Sequence, residues 1–178
     1  GPAVLPEESE YSEEEADDES VEALFRQWLG VIYRDQPEEV DAIIANLEEN
    51  ADDEEELDFG SIIESFFLLH NNLNDTEHLF SVDWKDGESF IDFIADIADR
   101  FNAKLEWSEE QMEEALPDQL ALSAYPVLLA AGAVLYSAQT GGDYYTFIAV
   151  PQQDAADFEH ASEQYGLQIW RADSEPEF

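Results

Sequence analysis

The sequence contains no cysteine and only six lysine and arginine residues. Without cysteine, a disulfide framework, a thiolate zinc site and a cysteine nucleophile are all excluded. Binding to nucleic acid or to an anionic membrane surface requires basic side chains that displace counterions, so direct contact with either partner is not expected. No secretion signal is visible, and no apolar run reaches the roughly 18 residues that a membrane span needs. These absences lead us to expect a cytoplasmic protein.

Acidic and apolar residues are both abundant. There are 45 aspartate and glutamate residues, which give a formal net charge of −39, yet 44% of the residues are hydrophobic and 12% are aromatic. That apolar content is too high for a disordered chain and is sufficient for one domain with a substantial core. The repulsion among so many carboxylates favours solubility and a cationic partner.

The order of periodic segments predicts an α+β fold, in which an N-terminal helical part packs with a small, mainly antiparallel sheet. Residues 1–19 are acidic and almost free of apolar side chains, so we expect a disordered tail there. We expect a single domain over residues 20–173, with its helical part at 20–75 and its sheet-containing part at 76–173, followed by a tail at 174–178. Helical spacing of apolar residues recurs from Val21 to Tyr33, from Pro37 to Leu47 and from Phe59 to Leu73.

The second half of the sequence combines short strands and helices. It predicts strands at His78–Trp84 and Ala103–Trp107, a helix that starts near Glu88, a short acidic helix at Glu109–Leu116, and a helical stretch from Pro117 to about Leu129 that is kinked or restarted at Pro126. A β-β-α-β unit follows, with helices expected on one face of its sheet. Its segments are Ala133–Ala138, Tyr144–Val150, Gln153–Tyr165, which ends at Gly166, and Leu167–Arg171.

Catalytic and metal-binding motifs are absent from the sequence. The three histidines are scattered, and no H-E-x-x-H, P-loop or G-x-S-x-G pattern occurs. Carboxylate pairs are so numerous that their presence carries no information about acid–base catalysis. We therefore expect a protein that is not an enzyme and that has no cofactor, no metal site and no catalytic residues.

The strongest functional signal is the acidic run Glu48–Asp58, in which eight of eleven residues are carboxylates. No basic residue lies within it, so we expect a loop that stays in water or meets a cationic partner. Its centre provides the first set of predicted partner-binding residues: Asp52, Asp53, Glu54, Glu55 and Glu56.

Two further segments, Ser81–Glu88 and Thr140–Phe147, each place aspartates and aromatic residues beside a turn glycine. Aromatic side chains with charged surroundings are common at binding hot spots. The second set of predicted partner-binding residues is therefore Trp84, Asp86, Asp143 and Tyr144. In the alternative interpretation, Trp84 and Tyr145 are core residues and the aspartates bind turn amides. If the helix after Asp86 packs with the β-hairpin, both segments lie at one end of the sheet.

The motifs D-W-K-D at Asp83–Asp86 and T-G-G-D-Y-Y at Thr140–Tyr145 resemble an uncharacterised bacterial α+β domain family. Members of that family are similar to small acidic immunity proteins, which are encoded beside secreted antibacterial toxins. The resemblance covers roughly residues 81–173. It implies no catalytic residues, and it implies a function in which a toxin is blocked by direct binding.

The leading hypothesis is thus an acidic inhibitor, an immunity protein that occludes a basic, nuclease-like toxin. A close alternative is a DNA mimic, whose carboxylates copy the phosphates of a duplex. Halophilic adaptation also produces acidic proteins with few lysines, and only Lys85 and Lys104 occur here. A carboxylate-based hydrolase and a chaperone-like protein that binds basic proteins without specificity are the remaining alternatives. The oligomeric state is left open.

Overall fold

The structure is a computed structural model, and it describes residues 22–50, 76–138 and 143–173, with side chains for 22–46 in the first range. The expected acidic tail at 1–19, the helix at Phe59–Leu73 and the C-terminal tail lie outside the described residues. The described part has the predicted α+β architecture. None of its helices is both long and apolar enough to cross a membrane.

Six helices and four strands make up the described residues. In chain order they are α1 (residues 22–32), α2 (Glu38–Asn50), β1 (Leu79–Asp83), α3 (Gly87–Arg100), α4 (Glu109–Glu114), α5 (Pro117–Ala130), β2 (Ala133–Ala138), β3 (Tyr144–Pro151), α6 (Ala155–Tyr165) and β4 (Ile169–Arg171). A single 3₁₀ turn, Gln152–Asp154, joins β3 to α6.

The four strands form one antiparallel sheet in the order β1-β3-β2-β4. The hairpin of β2 and β3 forms its centre, with Tyr136 opposite Ile148. β1 adds to the free side of β3, where Phe80 lies opposite Phe147. β1 and β4 are therefore the edge strands of the described sheet.

Helices cover both faces of this sheet, so the expectation of one covered face is wrong. On one face Phe147 packs edge-on against Phe90 of α3, with ring centroids 5.0 Å apart. On the other face Tyr136 packs against Phe158 of α6 at 4.8 Å. All six residues of β2 are buried. A strand that is covered on both faces has a continuous apolar run rather than an alternating one, and the run Ala133–Ala138 therefore indicates that both faces of the sheet are covered.

The N-terminal helices attach to the second of these faces. The indole nitrogen of Trp28 in α1 donates a buried hydrogen bond to the Ser162 hydroxyl of α6 at 3.0 Å. At the end of α1, the Tyr33 ring stacks on His78, whose Nε2 lies 2.9 Å from the Asp35 carboxylate. These contacts join the helical part to the sheet within one core, although the residues are far apart in the chain.

Local signals explain most of the helix ends. Ser108 and Gln111 form a capping box at the start of α4, and Gly166 ends α6 with a φ of 88°, as predicted for a residue after a helix. α5 contains Pro126 and is not restarted there. The strand expected at Ala103–Trp107 is wrong: these residues form no strand, and the Trp107 ring packs against Phe90 at 6.4 Å.

Candidate partner-binding site

The ends of β1 and β3 bring together three of the residues predicted to bind a partner. Asp83 lies opposite Tyr144 in the sheet register. One residue further on, the Trp84 amide donates a hydrogen bond to the Asp143 carbonyl oxygen at 3.0 Å. We call Asp83, Trp84, Lys85, Asp143 and Tyr144 the strand-end patch. For the described residues of the two segments, the expectation that they lie at one end of the sheet is confirmed.

Both large aromatic side chains of the strand-end patch are exposed. Trp84 is 39% exposed and Tyr144 is 48% exposed, and the described residues contain only two other exposed large hydrophobics, Met112 and Val127. The interpretation of Trp84 as a core residue is therefore wrong. Tyr145 is half-buried and its ring lies 6.0 Å from that of Phe147, so for this residue the core interpretation is confirmed.

The patch wraps around the end of the sheet. Asp83 and Tyr144 are opposite each other and share one face of the sheet, whereas Trp84 and Asp143 lie one residue beyond the ends of β1 and β3. An incoming surface that contacts both aromatics must therefore cap the strand ends.

Asp86 has a structural role at the border of the patch. Its carboxylate accepts a hydrogen bond from the Ser89 amide at 2.9 Å and so caps α3. Its own amide donates to the Asp83 carbonyl oxygen at 2.9 Å, which closes the turn. The interpretation in which an aspartate binds turn amides is confirmed here. A contact between Asp86 and a partner stays a prediction.

The four arginines of the sequence all form ion pairs within the molecule. Arg26 pairs with Asp41 at 3.1 Å and so links α1 to α2. Arg100 lies 3.7 Å from Asp35 and donates to the Glu77 carbonyl oxygen at 3.1 Å.

The other two arginines hold α6 in place. Arg34 contacts Asp154 at 2.5 Å and Asp157 at 3.2 Å. Arg171 in β4 pairs with Glu159 at 2.8 Å. All four arginines thus form ion pairs that link secondary-structure elements. Carboxylates are the most frequent charged groups on the exposed surface of the described residues.

A cluster of titratable groups links α6 to β2 and β4. The Tyr136 hydroxyl donates to Glu159 at 2.6 Å. Burial and this bond raise the pKa of Tyr136, whereas the bonds from Tyr136 and Arg171 lower the pKa of Glu159. The bond to Glu159 raises the pKa of Arg171. All three shifts move away from neutrality, opposite to what acid–base catalysis requires.

Several clefts lie among the described residues, and one of them, between α6 and β4, is lined by Tyr136, Glu159 and Arg171. An open groove between α4 and α5 is lined by Glu110, Glu114 and polar neighbours. A second cavity, under Tyr145, has room for about one water molecule and contains Asp118 and Ser137. Burial and the nearby Asp118 charge raise the pKa of Tyr145. Within residues 22–50, 76–138 and 143–173, no group of three or more acidic or histidine side chains is placed to hold a metal ion.

The first predicted set, Asp52, Asp53, Glu54, Glu55 and Glu56, lies outside the described residues. The start of the expected acidic loop is helical instead, because Glu48, Glu49 and Asn50 form the last residues of α2. Reasoning from sequence also missed the contact between Lys85 and Trp84, in which the lysine Nζ lies 4.9 Å from the ring centroid. The adjacency of a scarce lysine and a turn tryptophan was the available signal.

A family model described as a domain of unknown function, DUF6630, matches residues 20–173. The chain belongs to this family. The comparisons with curated proteins and with solved structures found no match. The DUF6630 match spans the helical part, the sheet and the strand-end patch, whereas the motif resemblance described above begins only at residue 81.

Proposed function

We propose that this DUF6630 protein is an acidic binding protein that inhibits a basic partner by occluding its surface. We further propose that the partner is a nuclease-like toxin, which makes this chain an immunity protein. The observation that carries the proposal is the exposure of Trp84 and Tyr144 together at one end of an otherwise well-buried sheet. Occlusion requires contact area and charge, and it requires no reaction chemistry from this chain.

The aromatic pair supports a protein partner. Each fully buried aromatic side chain is worth about 2–3 kcal/mol of hydrophobic free energy, so exposing two of them side by side forgoes stability in the free protein. Tryptophan and tyrosine are enriched among interface residues that dominate binding energy. Because Trp84 and Tyr144 lie at the ends of two neighbouring strands, a broad protein surface that covers both suits them better than a small molecule does.

The charge supports a basic partner. The net charge is −39, and the four arginines are engaged in ion pairs between elements of the fold. An anionic surface attracts a basic protein over a distance and raises its association rate, with a steep dependence on salt. Enzymes that act on nucleic acids carry basic clefts that contact phosphates, and carboxylates can occupy such clefts.

The experiment is growth rescue in a heterologous bacterial host. The product of the gene adjacent to that of this chain in its native genome is induced with and without this protein. We expect toxicity from the neighbour alone and normal growth with both. The double variant Trp84→Ala, Tyr144→Ala should lose protection, whereas Met112→Ala, which removes an equally exposed apolar side chain, should keep it. Equal protection by both variants would contradict the role of the patch.

Two further arms separate the alternatives. Charge reversal of Asp52, Asp53, Glu54, Glu55 and Glu56 to lysine tests the first predicted set, and protection by that variant would remove the acidic run from the site. Competition with duplex DNA for the purified partner tests the DNA-mimic alternative. If DNA competes with this protein for the partner, the contact lies in the nucleic-acid cleft of the partner. If DNA leaves the affinity of the partner for this protein unchanged, the contact lies elsewhere on the toxin.

A further inference from the structure

Lys85 lies against the indole of the residue that precedes it. Its Nζ is 4.9 Å from the centroid of the Trp84 ring. A cation within about 6 Å of an aromatic centroid is attracted by the negative face of the ring, and tryptophan is the strongest such acceptor among side chains. The exposed indole of the strand-end patch therefore already holds a positive charge.

The contact between the Lys85 ammonium and the indole is notable because the chain has 45 carboxylates and only six basic residues. Asp83 and Asp86 flank Lys85 closely in sequence, and the Lys85 amide hydrogen-bonds to the Asp83 carboxylate at 2.9 Å. Nevertheless, among the described residues no ion pair joins the Lys85 ammonium to a carboxylate. Its contact is with the Trp84 ring, so the indole face is a favourable place for a cation in this surface.

An acidic residue, Asp143, is the backbone neighbour of Trp84. Trp84 and Asp143 are opposite each other across the strand ends, with their backbones joined at 3.0 Å. The Cβ atoms of residues that are opposite each other in this way are about 5 Å apart, within reach of a large aromatic side chain. Asp143 is exposed, and no ion pair joins its carboxylate to a described residue. An aromatic face and an anion are thus available together.

We propose that the indole face of Trp84 and the carboxylate of Asp143 form a seat for an arginine side chain of the basic partner, and that Lys85 occupies this seat in the free protein. The inference rests on the proposed function for the identity of the partner as a basic protein. The seat itself is a property of this chain and can be tested without that partner.

Arginine fits the seat better than lysine does. Its planar guanidinium stacks on an aromatic ring while its N–H groups bind a neighbouring carboxylate in a fork, and it is more weakly hydrated than an ammonium. Lys85, by contrast, is an exposed, strongly hydrated ion that returns readily to water when it leaves the ring. Removal of Lys85 should therefore open the seat, and the gain should be local to Trp84.

The test follows the indole N–H resonance of Trp84, assigned with a Trp84→Phe variant, during titration with N-acetyl-arginine amide at constant ionic strength. Lys85→Gln is compared with Lys104→Gln, which makes the same change in net charge at an exposed residue that is not part of the strand-end patch. We expect Lys85→Gln to tighten binding at Trp84 about two- to five-fold, the factor that an exposed cation–π contact supplies, and Lys104→Gln to leave it near the wild-type value. Asp143→Asn in the Lys85→Gln background should weaken it again.

Equal affinities for Lys85→Gln and Lys104→Gln would overturn the inference, because net charge alone would then explain any effect. A Trp84 resonance that does not respond to the arginine probe in any variant would also overturn it. Neither result bears on the growth-rescue experiment, which tests the proposed function independently of the arginine seat. Conversely, if the arginine seat is found and rescue fails, the proposed function falls and the seat stands.

Discussion

Arg34 and Asp154 are 120 residues apart in the sequence, yet Nη1 of Arg34 lies 2.5 Å from Oδ1 of Asp154. Asp154 is buried, with 6% of its side chain exposed, whereas Arg34 is about half exposed at 49%. The carboxylate thus loses most of its hydration on folding and receives a charged partner in exchange. This pair joins the end of α1 to the start of α6, across the face of the sheet that the N-terminal helices cover.

Replacement of Arg34 by glutamine should destabilise the protein markedly. Asp154 would remain as a buried charge without its cation, and the expected loss is about 1–3 kcal/mol of unfolding free energy, moderated by the exposure of the arginine. Urea unfolding measures it. Arg26→Gln is the matched control, because it removes the same charge from a pair whose partner Asp41 is exposed, and its loss should stay below about 1 kcal/mol. Equal losses would show that net charge, not burial, sets the effect.

Substitution by alanine should have opposite effects on the free energy of unfolding at Gly87 and at Gly30. A Cβ on Gly87 would overlap the backbone carbonyl oxygen of Ala115, whereas a Cβ on Gly30 in α1 meets no atom within 4 Å. Gly87→Ala should cost about 1–3 kcal/mol through overpacking at the start of α3. Gly30→Ala should stabilise by about 0.5–1 kcal/mol through helix propensity. Thermal or urea unfolding of the two variants decides it, and a stabilised Gly87→Ala protein would contradict the packing of α3 on Ala115.

The buried hydroxyls of Ser81 and Thr146 form a pair at 2.8 Å between β1 and β3. Ser81→Ala leaves the Thr146 hydroxyl buried without this partner and should lower the free energy of unfolding by about 1–3 kcal/mol. The double variant with Thr146→Val should lose less unfolding free energy than the two single variants together. Ser137→Ala is the contrast, because the buried Ser137 Oγ has no hydrogen-bond partner among the described residues, so its loss should be close to neutral. Strict additivity for Ser81 and Thr146 would argue against their bond.

Glu159 should contribute a pH-dependent part of the stability. Its pKa is lowered in the folded protein by hydrogen bonds from Tyr136 and Arg171. A lowered folded-state pKa gives stabilisation that is complete above the ordinary glutamate pKa of about 4.3 and is lost as the pH falls through the folded-state value. The difference in unfolding free energy between wild type and Glu159→Gln should therefore be largest near neutral pH and shrink in acid. Glu163→Gln on the same helix controls for net charge, and an equal profile for both variants would contradict the prediction.

The sequence predicted the elements whose periodicity is undisturbed. β3, with its apolar run after Tyr144, and α3, with Phe90, Ile94 and Ile97 on one face, were predicted close to their observed bounds. Ala103–Trp107 has the alternation of a strand, but none of the four described strands pairs with it, and its apolar residues pack on the core as an irregular segment. Burial of both sheet faces depends on α1 and α6 meeting through Trp28 and Phe158, a contact that no local pattern contains.

The candidate site was predictable in its residues but only partly in its geometry. The turn residues beside Trp84 and Tyr144 indicated that the two segments meet at one end of the sheet. Sequence alone could not decide the exposure of Trp84, because alternation from Val82 places it on a core-facing side; it is exposed since it lies just beyond the last residue of β1. The capping role of Asp86 and the position of Lys85 over the indole likewise depend on three-dimensional contacts.

The role of the strand-end patch in partner binding is tested by the affinity of the purified basic partner for two double variants, measured by calorimetry at low and moderate salt. Trp84→Ala with Tyr144→Ala removes the exposed aromatics of the strand-end patch, and Met112→Ala with Val127→Ala removes the other two exposed large hydrophobics of the described residues. We expect the first variant to raise Kd at least about 100-fold at both salt concentrations and the second to leave it unchanged. Equal affinity for the two variants would contradict this expectation.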